Sequence, residues 1–136
     1  MKFTLKVLED EGQVFVFDKL PVAVEDVLRA DKKELKEYTF TLKDPIQEKH
    51  RQEVERLMWL STGQKDEALR GAATAVGYLE NWDLPVPLTM DGFQTLHPVL
   101  AENIRLRIEA MVFPSWITNP FFSKLLKDKP EIFSQA

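Results

Sequence analysis

Residues 2–8, KFTLKVL, set Phe3, Leu5 and Val7 on one side of the backbone and Thr4 and Lys6 on the other. That period of two belongs to a half-buried strand, since a helix cannot gather such residues on one face. EDEG, residues 9–12, has turn composition, and QVFVFD, residues 13–18, is β-branched and aromatic. The two runs read as a β-hairpin. Val14, Phe15, Val16 and Phe17 are apolar at both parities, so this strand is expected to be covered on both faces, by a helix or by a partner. Pro21 opens PVAVEDVLRADKKELKEY, where Val24, Val27 and Leu28 make a short helical stripe. YTFTL, residues 38–42, alternates again and reads as a third strand.

The pattern changes at Asp44-Pro45. Asp44 is suited to cap a helix and Pro45 to its first position, where no amide hydrogen is needed. A helix over 45–61 carries the stripe Ile46, Val54, Leu57 and Met58, and Ser61-Thr62-Gly63 ends it. A second helix, 65–82, carries Leu69, Ala72, Ala73, Val76, Leu79 and Trp82 at spacings of three and four. The short connection makes the two an antiparallel hairpin. Pro85 and Pro87 then interrupt, and Thr89 or Asp91 is placed to cap a helical turn around Phe93 to His97. Pro98 starts a last helix, VLAENIRLRIEAMVF, striped by Leu100, Ile104, Ile108, Met111 and Val112, with Glu102, Arg105 and Glu109 placed to pair along its surface. The expectation is an α+β fold. A small three-stranded antiparallel β part, residues 1–43, packs with a mainly α-helical part, residues 44–136.

The chain has 136 residues, enough for one domain with a substantial core. Its net charge is −4, so the general attraction to phosphate that drives nucleic-acid binding is missing. Lys124, Lys127 and Lys129 are the one unbalanced basic group, and no nucleic-acid partner is expected. There are no cysteines, which excludes disulfides, thiolate metal sites and cysteine nucleophiles. MKFTLKVLEDEG lacks the continuous apolar core of a signal peptide, and no apolar run has the length of a membrane span. The expectation is a soluble, cytoplasmic protein that needs no membrane and no cofactor.

Reactive chemistry is sparse. His50 and His97 belong to no spaced metal motif; His50 lies at the edge of a helix stripe, and His97 precedes a helix-starting proline, placed for capping or for packing on Trp82. No serine sits in a glycine-flanked elbow, and the five glycines form no phosphate loop. An enzyme or ligand binder would need converging polar groups, for which His97, Asp83 and Tyr78 are the candidates. The C-terminal segment has an aromatic and apolar surplus, with Phe113, Trp116, Phe121, Phe122, Leu125 and Leu126 interrupted by Pro114 and Pro120, and a short helix FFSKLLKD. These residues either close the core or dock on a partner.

Residues 44–115 carry a further signal. A helical hairpin ends in Trp82-Asp83-Leu84, a proline-containing segment with Pro87-Leu88-Thr89 follows, and then a short turn and another helix. This resembles the tail assembly chaperones of long-tailed bacteriophages, small proteins that accompany the tape-measure protein before the tail tube forms. The resemblance covers about half of the chain. It implies an acidic helical adaptor, with no catalytic residue, metal or cofactor, that keeps a long apolar client soluble. Separately, an exposed edge in the β portion could pair between subunits, so a homo-oligomer, as a dimer or ring, is compatible with the sequence. Two other function classes stay open: a different structural or adaptor interaction protein of phage, prophage or bacterial origin, and a small-ligand binder or enzyme. Trp82, Asp83, Pro85 and Pro87 are then a structural corner: Trp82 ends a helix and buries its ring with its indole N–H bonded nearby, Asp83 and Asp91 cap, and the prolines fix the turn. The partner-binding candidates are Phe113, Trp116, Phe121, Phe122, Leu125 and Leu126.

Overall fold

The computed structural model describes residues 1–60 and 62–117, with side chains as far as Val112. Strands β1 (Lys2–Asp10) and β2 (Gln13–Phe17) form the expected antiparallel hairpin. Glu11 and Gly12 take positive φ, 53° and 80°, in a two-residue turn whose twist matches the flanking strands. Helix α1 (Val22–Ala30) follows. Its end is a Schellman motif: Lys32 adopts φ 58°, its N–H donates to the Arg29 carbonyl, and the Lys33 N–H donates to the Leu28 carbonyl at 2.8 Å. That stop releases the chain into β3 (Leu35–Leu42), which starts earlier than the alternation of 38–42 suggests and pairs antiparallel along most of β1.

Helix α2 (Glu48–Met58) starts later than Pro45, and Asp44 does not cap it. The cap is made by other residues. His50 Nδ1 accepts the Gln47 N–H at 2.9 Å, and the His50 N–H donates to the Gln47 carbonyl at 3.0 Å. The first orphan amides of the helix are satisfied there. After a 3-10 turn at Glu67–Leu69 comes α3 (Arg70–Tyr78), which packs on α2 as the expected helical hairpin. A Cβ on Gly77 would lie 2.3 Å from Val54 Cγ2, so the approach of these two helices depends on glycine at that position.

The chain leaves the helix at Tyr78, not at 82, and becomes strand β4 (Leu79–Trp82) at once. Lys43 ends the helix. Its N–H donates to the Tyr78 carbonyl and its Nζ to the Gly77 carbonyl, both at 2.9 Å, placing donors and a positive charge on orphan carbonyls. β4 pairs antiparallel with β3 (Leu42 with Leu79, Phe40 with Trp82), and the register shifts between Thr41 and Leu42. The extra residue is a β-bulge. It turns Leu79 and Trp82, three apart, to the same face of the sheet. This is why their spacing imitates a helical stripe. Among the described residues the sheet therefore has four strands, not three, in the order β2-β1-β3-β4, and its fourth strand comes from the helical half of the chain.

Thr89 caps α4 (Met90–Gln94), its hydroxyl accepting the Gly92 N–H at 3.0 Å. Helix α5 (Pro98–Ile117) then runs on through Pro114 instead of stopping at Phe113. A proline removes one backbone bond and bends a helix, but does not have to end one already built on earlier turns.

One face of the sheet holds the core. Phe3 and Leu5 of β1, Phe40 and Leu42 of β3 and Leu79 of β4 meet Ala72, Ala73 and Ala75 of α3 and Leu100, Ile104, Ile108 and Val112 of α5. Phe3 and Phe40 stack with ring centroids 4.9 Å apart. On the other face Leu8 is buried, with Phe15 and Leu35 as its cross-strand neighbours. Helix α1 is tied to this side by ion pairs, Glu25 with Lys6 and, just past its end, Lys33 with Asp10 at 2.7 Å. No residue of α1 is buried, and Val24 and Val27 of its expected stripe are exposed. Nor do the described residues of the chain itself cover β2 on both faces: among them it is an edge strand, and Phe15 is 41% exposed. The ion pairs anchor α1 to β1, and β2 is left partly open. Among the described residues no helix is long and apolar enough to cross a membrane.

Candidate partner-binding groove

The corner at Trp82 is built differently from the sequence expectation. Trp82 ends a strand, and its half-buried ring lies edge-on to Phe40 at 6.3 Å and stacks near Phe93 at 6.4 Å. Its indole N–H donates to the Val86 carbonyl at 2.8 Å, as expected. Asp83 caps no helix. Its carboxylate accepts the Thr39 N–H at 2.7 Å, which prolongs the β3–β4 ladder by one residue. Pro85 and Pro87 are exposed on the connection, and the Pro87 carbonyl would lie 2.1 Å from a Cβ on Gly92, so α4 folds back tightly onto this loop.

His97, Asp83 and Tyr78 are not brought together. His97 Nδ1 accepts the Val99 N–H at 3.1 Å at the start of α5, Asp83 is bonded to Thr39, and Tyr78 lies buried at the end of α3. Among the described residues no group of three or more His, Asp or Glu side chains is placed to hold a metal ion. Of the expected partner-binding residues, Phe113 and Trp116 belong to the α5 backbone, but their side chains lie outside the described residues, as do Phe121, Phe122, Leu125 and Leu126 and the segment FFSKLLKD.

A different surface emerges from the helices. Helix α3 packs between α2 and α5, and a groove of about 570 Å³ opens along it. Val54 and Met58 of α2, Thr74 and Tyr78 of α3 and Leu106 and Val112 of α5 line it. Charged side chains on the rim pair with one another: Lys65 with Glu55 at 3.1 Å, and Arg70 with Glu109 at 3.1 Å. Glu109 also accepts from Arg105 at 2.9 Å, and Arg105 binds Glu102 as the sequence spacing anticipates. The bond to Glu102 and the nearby Glu109 hold the Arg105 guanidinium above its ordinary pKa, against the effect of burial. Burial pushes the Tyr78 phenol up, so it stays neutral in the groove.

The α5 wall carries a second pattern. Leu106 is 49% exposed and Val99 40%, although both are large and apolar. Val99, Asn103, Leu106 and Ala110 follow one another at steps of four, three and four, a short heptad-spaced seam on the side away from the Leu100–Ile104–Ile108 stripe, with the polar Asn103 bonded back to the Val99 carbonyl at 2.8 Å. Leu106 and Ala110 belong to both the seam and the groove. Beyond Met58, Trp59 and Leu60 are also exposed, at 53% and 40%. Sequence reasoning passed over this surface because it credited each helix with one stripe. The signal available was the apolar run Met58-Trp59-Leu60 and the second, offset series on α5.

Against known protein families, curated proteins and solved structures, the chain finds no match.

Proposed function

We propose that this protein is a non-enzymatic adaptor that takes one amphipathic helix of a longer client into the groove between α2 and α5. The observation that carries the reading is the exposed heptad seam of α5 opening into an apolar groove whose rim charges already satisfy each other. Such a surface suits a helix with its own apolar stripe, laid in as a helix in a groove. Within this reading the client is a tape-measure protein and the adaptor a phage tail assembly chaperone, at work in the host cytoplasm. The heptad-forming stripes of an unassembled tape-measure chain would otherwise self-associate, and covering them keeps the chain soluble. The groove volume also falls within the range of small-molecule sites, roughly 300–1,000 Å³. A peptide helix is favoured because the rim offers ion pairs already made, not free polar groups converging on one ligand.

The test is co-expression with a candidate tape-measure protein, with and without the Leu106→Asp variant. The wild type should raise the soluble fraction of the client and co-purify with it, and L106D should lose both effects while melting at the wild-type temperature. No effect of the wild-type protein on client solubility would sink the proposal.

A further inference from the structure

The outer edge of β2 is a second unsatisfied surface. Among the described residues β2 hydrogen-bonds to β1 alone and forms one border of the sheet. The two-residue turn makes Asp10 and Gln13 a hydrogen-bonded pair, so by alternation Leu8–Phe15 and Lys6–Phe17 are hydrogen-bonded pairs too. The N–H and C=O groups of Val14 and Val16 therefore point away from β1, and no other described backbone group bonds to them. Natural edge strands are defended by lysine, proline, a bulge or a charge pointing inward. Gln13–Phe17, QVFVF, has none of these, and Phe15 stands exposed beside it.

We propose that this edge is a homodimer interface: two copies pair β2 to β2, antiparallel about a two-fold axis through Phe15, and make one continuous eight-stranded sheet. The register follows from the geometry. Centring the axis on Phe15 sets Val14 of each copy opposite Val16 of the other. Both outward-facing residues are then used, and each such pair exchanges two backbone hydrogen bonds. Centring on Val14 or Val16 leaves one of these residues without a strand partner. In the chosen register the two Phe15 rings meet across the axis at a non-hydrogen-bonded position, where side chains approach most closely and aromatic pairs add stability. The same register puts the exposed Glu11, in the turn two residues before β2, at the end of the interface where the exposed Lys19 of the second copy leaves its strand, so opposite charges are available to each other at both ends. Asp18, next to Lys19, is already held within its own chain by Arg107 at 2.9 Å. A second copy is the occupant that supplies this complementarity at both ends at once, because a two-fold contact repeats every pairing.

The chain has no cysteine, which makes the register testable with single substitutions. Cα atoms at the axis would be about 4.5 Å apart, within disulfide reach. Phe15→Cys should cross-link to a covalent dimer under mild oxidation at micromolar protein. Gln13→Cys is the control, because the two Gln13 positions would be about 13 Å apart and beyond bridging. Sedimentation velocity on the wild-type chain should show twice the monomer mass, and Phe15→Lys, at an exposed site, should raise the dimer dissociation constant at least about tenfold. A wild-type monomer throughout the micromolar range overturns the proposal. So does a dimer indifferent to F15K, or equal cross-linking of F15C and Q13C.

Discussion

The indole N–H of Trp82 donates to the carbonyl of Val86 at 2.8 Å, and so joins the end of β4 to the loop that leads into α4. The ring itself is wedged between Phe40 of the sheet and Phe93 of α4. The two roles separate by substitution. Trp82→Phe keeps an aromatic body and strands the Val86 carbonyl, at a cost of about 1 kcal/mol. Trp82→Ala also removes the packing and should cost about 3 kcal/mol, at the low end for a large aromatic because the side chain is only half-buried. Urea unfolding of the two variants measures both values, and equal losses would mean that the hydrogen bond contributes nothing separate from the ring.

Gly92 is predicted to be as sensitive as Trp82. An added Cβ meets the Pro87 carbonyl oxygen at 2.1 Å, and that oxygen is backbone, so it cannot rotate away. Gly92→Ala should cost about 3 kcal/mol through displacement of the 87–92 loop. A thermal melt within a degree of wild type would refute the tight fold-back described for this corner.

Lys43 holds the carbonyl end of α3 where the helix turns into β4. Lys43→Met keeps the length of the side chain and removes the charge and the Nζ donor. It should lower stability by about 1 kcal/mol. The backbone bond from residue 43 to Tyr78 survives the change, so far-UV circular dichroism should stay the same.

His50 predicts a pH dependence. Burial first, then the charges of Lys43 and Lys49, hold its pKa below the ordinary 6.5. The Nδ1 that accepts the Gln47 N–H must also be neutral. A group that binds its proton less readily in the folded state than in the unfolded state makes stability rise with pH. The contribution is complete above about pH 6.5 and is lost as the pH falls toward the folded value. Melting temperatures between pH 5 and 7.5 should fall on acidification more for wild type than for His50→Gln. The carboxylates of Glu48, Glu53 and Glu102, whose pKa values are lowered by bonds to Arg51, Arg56 and Arg105, act in a separate window below about 4.5. Parallel curves above pH 5 would contradict the capping role of the imidazole.

Local chemistry determined much of this protein without help from the fold. The alternation of Phe3, Leu5 and Val7, the turn at Glu11-Gly12 and the stripe Leu100–Ile104–Ile108–Val112 are short-range patterns, and each formed the element its period demands. Where the structure departs most from these patterns, a partner distant in sequence decided the outcome. Leu79 and Trp82 carry helical spacing, but Lys43 takes the α3 carbonyls and Phe40 and Leu42 offer an open edge, so the residues became a bulged strand. Val24 and Val27 have the pattern of a buried stripe, yet ion pairs to β1 fix α1 in an orientation that leaves them in solvent. The sequence marked single walls of the groove, in Met58 and in the offset series on α5, but not the groove itself, because its walls come from three helices and a cavity is a property of the spacing between elements. A periodic sequence states which side of each element is apolar; only the competition among elements for the same neighbours settles which of those sides is covered.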